Sequence, residues 1–174
     1  MCHNLGKNDF KGVFMIRIAT LNDLPTLLEI YEHAREFMRL QGNPTQWGVS
    51  HPEVDILEND INNKTLYVIE EDDQIHGVFA FIIGEDSTYD IIDQGEWRCS
   101  DTYGTIHRVA AAEGAHGIVE QVVEYCKSIH SYIRIDTHEK NLVMQHLIQK
   151  TGFEKSGIIY AYDGSPRLAY ELLP

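Results

Sequence analysis

From Met15 onward the apolar residues follow two periods, and the change from one to the other falls at glycine, proline or acidic breaks. "MIRIA" alternates Ile16 and Ile18 with polar or small residues, as a half-buried strand does. Thr20 then stands as a helix N-cap, with Asp23 three positions on and Pro25 in the first turn. Leu24, Leu27, Leu28, Tyr31, Ala34, Phe37 and Met38 recur at helical spacing, so a long amphipathic helix runs to about Leu40. Gly42, Pro44, Gly48 and Pro52 mark a loop, and a second helix follows over Glu53 to Asn62. "KTLYVIE" and "QIHGVFAFIIG" form two strands about the turn Glu71-Asp72-Asp73. A polar, irregular stretch over 85–103 carries Trp97.

"TIHRVA" is a further strand, and it leads into the turn "AAAEGAHGIVEQ". A helix with Ile118, Val119, Val122, Val123, Cys126 and Ile129 on one face comes next, then the strand "YIRID". A short helix from about Asn141 to Lys150 stops at Gly152. "GIIYAY" and "RLAYELL" close the chain as a hairpin about Asp163-Gly164-Ser165. The order β α α β β β α β α β β predicts an α/β (α+β) fold, a mixed sheet covered by helices. One domain spans 15–174, and residues 1–14 read as a poorly ordered N-terminal extension without a signal-peptide core.

Composition narrows the function classes. The chain has 14 Lys and Arg against 27 Asp and Glu, a formal charge of −13, which argues against nucleic-acid backbones and leans toward a cationic small molecule. Cys2, Cys99 and Cys126 are scattered, so neither a disulfide framework nor a structural zinc site is expected, and a cytoplasmic setting fits. No apolar run is long enough for a membrane span.

The turn over 110–121 is where chemistry enters. A strand that ends in small residues and feeds a helix offers unpaired backbone N–H groups at a dipole's positive end, and an anion can sit on them. The Walker triplet Gly-Lys-Ser/Thr is absent, and the dinucleotide fingerprint is reduced to Gly114-x-x-Gly117. The same turn is open to a plain connecting role. His107 lies within the preceding strand and reads either as a core histidine or as a general base. His138, in "DTHE" between Asp136 and Glu139, reads either as part of a helix entry or as a base at a strand end. No second ligand pair supports a metal. Trp47, beside Gln46, and Trp97 lie on loops that can wall a pocket or seal the core edge. Arg108 is expected on the side opposite its strand neighbours, as a surface or ion-pair residue.

The whole order of elements, with "IHRVAAAEGAHGIVEQVVEYC", "IRIDTHEKN" and "LIQKTGFEKSGIIYAY", resembles the GNAT superfamily of acyl-CoA-dependent N-acetyltransferases. The likeness covers about Met15 to Leu173. The family pattern Gln/Arg-x-x-Gly-x-Gly/Ala falls on Gly114, Gly117 and Val119, of which Gly117 alone matches, while Asn141, Gly152 and Phe153 match a second mark. The resemblance implies a GNAT-like, mostly antiparallel sheet with its fourth and fifth strands splayed, and acetyl-CoA as co-substrate. Its diphosphate would lie on the amides of Ala115, His116, Gly117, Ile118 and Val119, next to Gly114. Its pantetheine arm would pair with the strand from His107 through Val109, Ala110 and Ala111, with Val109 polarising the thioester and Asn141 nearby.

The implied reaction is acetyl transfer to a primary amine by direct attack. His107 and His138 are candidate bases, Tyr160 a candidate acid (with Tyr162 as its neighbour), and Trp47, Trp97 and Asp136 candidate acceptor contacts. The position where relatives often carry a proton-donating tyrosine is Ile148 here. That departure keeps two other readings open, a non-catalytic CoA-binding module and a ligand-free interaction domain. The closing hairpin offers an edge for a homodimer.

Overall fold

Asp72 and Asp73 both adopt left-handed backbone conformations, with φ of 51° and 60°, and fold the first long pair of strands back on each other as a two-residue turn. That hairpin starts a single sheet. The computed structural model describes residues 14–174, so the expected N-terminal extension lies, but for Phe14, outside the described residues. The elements follow the order read from the sequence: β1 (Met15–Ile18), α1 (Leu24–Leu40), α2 (Val54–Asn62), β2 (Leu66–Glu71), β3 (Gln74–Ile83), β4 (Gly104–Ala111), α3 (Ile118–Ile129), β5 (Ile133–Thr137), α4 (Leu142–Lys150), β6 (Glu154–Tyr160) and β7 (Pro166–Leu172). Thr20 caps as expected, its amide and hydroxyl both donating to the Asp23 carboxylate, although a short 3-10 turn over Leu21–Asp23 precedes α1.

The seven strands lie in the order β1-β2-β3-β4-β5-β7-β6, and only β4 and β5 run parallel. The parallel pair is short. Gly104, Thr105 and Ile106 face Ile133, Arg134 and Ile135, and beyond those residues no ladder joins the two strands. β5 instead continues against β7, with Asp136 opposite Ala169 and Thr137 opposite Leu168. The sheet therefore opens between β4 and β5, as the splayed-strand expectation has it. On its other edge β4 carries a bulge. His107 faces Ala80 and Ala110 faces Val78, so Arg108 and Val109 together stand opposite Phe79. A bulge raises local twist, which turns the end of β4 away from β5.

Two apolar layers sandwich the sheet. Ile106, Val109, Ile133, Ile135 and Tyr170 pack under α3 and α4 with Val119, Val122 and Ile148. Leu66, Val68, Val78 and Ala80 pack under α1 and α2 with Leu27, Tyr31, Leu57 and Ile61. Gly77 matters for α3: a Cβ there would come within 2.8 Å of Ile118 Cγ2, so the bare backbone lets the first turn of α3 lie down on β3. The segment 85–103, structureless in the sequence reading, has its own small core of Tyr89, Tyr103, Tyr132, Ile159 and Ala169, packed by Trp97 and Cys99. No helix among the described residues is long and apolar enough to cross a membrane.

Candidate active site

The bulge decides which side chains face the opening. Arg108 has φ of 54°, a left-handed conformation that a side chain adopts only when its surroundings enforce it. Here they do. The fully buried Tyr31 hydroxyl donates to the Arg108 carbonyl at 2.9 Å, and Arg108 Nη2 lies 2.6 Å from Asp60 Oδ2 on α2. That contact is an ion pair without hydrogen-bond geometry, since Asp60 Oδ2 and Arg108 Nε have no hydrogen-bond partner among the described residues. The sequence expectation put Arg108 opposite its neighbours. The extra residue of the bulge instead brings it to the same face as His107, under α1 and α2.

At the end of β4 the turn over 112–117 leads into α3. Gly114 and Gly117 have φ of 75° and 69°, and open space lies where their side chains would be. The amides of His116, Gly117, Ile118 and Val119 have no acceptor among the described residues, and that of Glu120 turns to its own carboxylate; the first helical bond is Gln121 to the Gly117 carbonyl, at 3.2 Å. The Ala115 amide is different. It donates to the Ala112 carbonyl at 3.1 Å, which removes it from the expected set of free donors. Ile118 and Val119 send their side chains into the core, so their branches leave the amide surface clear. Glu120 would oppose an anion here, but Lys150 Nζ neutralises it at 2.8 Å.

On the α1/α2 face of the opening, polar groups converge. His107 Nε2 lies 2.9 Å from Asp86 Oδ2. Burial resists ionisation of Asp86, yet hydrogen bonds from His107 and Thr88 outweigh it and hold the carboxyl down at about 2. The anion therefore calls for a proton on Nε2, and Nδ1 has no partner among the described residues. The Tyr89 ring stands edge-on to His107 at 6.1 Å, and its hydroxyl donates to Asp136 Oδ1 at 2.7 Å. Burial, then the Asp136 charge, push that phenol well above its usual range, so Tyr89 donates a hydrogen bond rather than a proton.

The Asp86 carboxyl sits below its usual 3.8, so its contribution to stability is complete above about pH 4 and is lost as pH falls toward 2. Urea unfolding across that window shows a fall that Asp86→Asn flattens. An unchanged slope in the variant sinks the assignment.

Solved structures share this frame. An acetyltransferase of the GNAT family from Streptococcus agalactiae is 30% identical, covers 92% of this chain and 95% of its own, and superposes with a TM-score of 0.82. The chain belongs to the GNAT acetyltransferase family. Other structures share the fold at lower identity: a GNAT-family acetyltransferase from Listeria monocytogenes (18% identical, covering 91% of this chain and 93% of that one, TM-score 0.66) and a Salmonella typhimurium protein solved with its cofactor acetyl-CoA (16%, 92% and 93%, TM-score 0.57). No protein-family model and no curated protein matches the chain.

Within this GNAT frame the sequence-derived candidates separate. His107 and Asp136 come together, on adjacent strands and one face. His138 lies at the end of β5, but its Nδ1 accepts the Lys140 amide at 3.1 Å, which ties up the lone pair a base would need. Burial and then Arg167 hold its pKa down, so the ring stays neutral. Tyr160 is a correction: it lies on β6 at the far edge of the sheet, its exposed hydroxyl donating to Asp93 at 2.7 Å, with β5 and β7 between it and β4. Tyr162 is almost wholly exposed on the same hairpin. Trp97 takes the sealing role of the two left open for it. Its ring stacks on Tyr89 at 5.6 Å, Arg134 lies over it at 3.9 Å, and Nε1 donates to the Tyr89 carbonyl, so it packs the 85–103 segment onto the sheet.

Trp47 does stand beside the opening, edge-on to Tyr31 at 5.7 Å. Asn141 caps α4 through Met144 and donates to Gln46 Oε1 at 3.0 Å, which ties the Trp47 loop to the helix after β5. Ile148, the position the resemblance matched to a proton-donating tyrosine, is fully buried. Asp86, Tyr89, Asp60 and Arg167 went unmarked by the sequence. Asp86 and Tyr89 lie in a segment without period, Asp60 and Arg167 on a readable helix and strand, and only long-range packing brings all four to the site.

Proposed function

We propose that this protein transfers an acetyl group from acetyl-CoA to a primary amine by direct attack, with His107 as the base. One observation carries the reading. A single strand, β4, leaves its parallel partner after Ile106, bulges at Arg108, and ends in a turn with four unpaired amides, while His107 faces the other side of the same opening. A thioester ligand can thus enter along one face of the gap and an amine from the other.

The chain's own groups fit such a ligand. The amides of His116 to Val119 take the diphosphate without a side-chain cation, and the missing side chains of Gly114 and Gly117 leave it room. The backbone of His107 to Ala111, free of β5 beyond Ile106, takes the pantetheine arm. The Val109 N–H, at the bulge, is the proposed donor to the thioester carbonyl. Acetyl-CoA supplies the acyl group as an activated ester. His107 Nδ1 takes one proton from the ammonium, with Asp86 stabilising the imidazolium, and as the C–N bond forms and the C–S bond breaks the second N–H proton leaves to solvent. Solvent supplies the thiol proton, since Ile148 has none to give. Asp136 and Asp86 favour an acceptor whose amine arrives as a cation.

Two measurements test the reading on the whole chain. Acetyl-CoA at a hundred times its Kd stabilises the fold by about 2.7 kcal/mol in a thermal-shift titration. Free thiol appears when an amine panel is added. No stabilisation overturns the binding site; stabilisation without thiol release from any amine leaves a CoA-binding module.

A further inference from the structure

Arg167 differs from the other buried arginine of this face. Arg134 is sandwiched between the rings of Trp97 and Tyr103, at 3.9 and 3.8 Å, and bonds the Tyr132 hydroxyl and the Cys99 carbonyl. Arg167 is 8% exposed and touches only neutral oxygens: Ser165 Oγ at 2.8 Å, the Pro166 carbonyl at 3.1 Å and the Gln46 carbonyl at 3.4 Å. Its Nε has no hydrogen-bond acceptor among the described residues. The nearest carboxylate oxygen, Asp136 Oδ2, stands 3.9 Å away, while Oδ1 of the same group is bonded by Tyr89. A buried guanidinium without a bonded anion is costly to keep, and a bidentate fork is suited to a carboxylate.

Position adds a second constraint. Asp136 faces Ala169 in register, and Arg167 lies two residues along β7 from Ala169, on the same face of the sheet. We infer that the acceptor carries a carboxylate beside its amine, an α-amino acid, with Arg167 holding the carboxylate and Asp136 the ammonium. A cation on Asp136 and an anion on Arg167 become close neighbours, as they are when one carbon separates them. Both partners then gain the charge that the free site lacks at hydrogen-bond distance. The inference rests on the transfer reading above, whose acceptor side it defines.

The test is binding rather than turnover. The common free amino acids and their carboxamides are titrated by calorimetry into the whole protein saturated with CoA. At least one acid binds about tenfold or more tightly than its own amide. Arg167→Gln reduces that ratio to about one while leaving amide binding in place, and Arg167→Lys restores part of it. Equal binding of acids and amides by the wild type, or binding of neither, overturns the inference. So does an equal loss for both in Arg167→Gln, which would mark the arginine as a strut for the Trp47 loop. Should the glutamine variant not fold, the wild-type ratio decides alone. Selective acid binding without thiol release from acetyl-CoA would sink the transfer reading and leave this one standing.

Discussion

His107→Gln lowers kcat/KM for the acceptor by about 10²–10⁴-fold, the range a positioned general base contributes. Glutamine can still donate toward Asp86, so the loss reports on the vacant lone pair at Nδ1 rather than on a collapsed site. Acetyl-CoA binding, read by thermal shift, stays as in the wild type, because the amides that would hold it belong to the turn and to α3. The split is the diagnostic result. A loss below about tenfold, or one that comes with lost coenzyme binding, rules His107 out as the base. His138→Gln, in contrast, changes little, since the lone pair of that ring is already held by the Lys140 amide.

Glu171→Ala produces the largest loss of stability. Glu171 is fully buried on β7 and accepts from the Arg98 amide, Arg98 Nε and the Tyr132 hydroxyl at 3.1, 2.8 and 2.7 Å. Burial alone would raise its pKa, but those donors win and hold it below the usual value. Its removal leaves the Arg98 amide and Nε without their acceptor, while the Tyr132 hydroxyl keeps only the Cys99 carbonyl. Arg98 also pairs with Glu154 and keeps some access to water, which softens the cost. We expect about 3 kcal/mol, at the low end for breaking a buried pair, and a drop in Tm of roughly 6–12 °C for a chain of this length. The effect reaches function as well. Glu171 anchors the 85–103 segment through Arg98, and that segment carries Asp86 and Tyr89 to the site. Activity at low temperature should therefore fall together with stability, and Glu171→Gln should lose less of both. A Tm within a degree or two of wild type in Glu171→Ala would show the anchor to be dispensable.

Much of this was legible in the chain, and for local reasons. Alternation in "MIRIA" and "QIHGVFAFIIG", the helical spacing from Leu24 to Met38, and the small-residue turn around Gly117 each depend on neighbours a few positions apart, which a linear pattern records. His107 and Asp136 were legible as candidates for the same reason, since both sit on readable strands. Tyr160 and Trp97 looked equally suitable by residue type. Their hydrogen bonds, to Asp93 and to the Tyr89 carbonyl, come from residues 67 and 8 positions away along the chain, in a segment without period.

By itself, then, the order of residues determined the elements, their sequence along the sheet's making, and the place where β4 hands over to α3. Only the folded chain decided which side chains meet. The bulge at Arg108 turned one residue to the other face, the 85–103 segment delivered Asp86 to His107, and β7 set Arg167 beside Asp136. Each of those choices depends on contacts between distant segments, and such contacts are settled by packing and charge pairing in three dimensions rather than by any spacing along one.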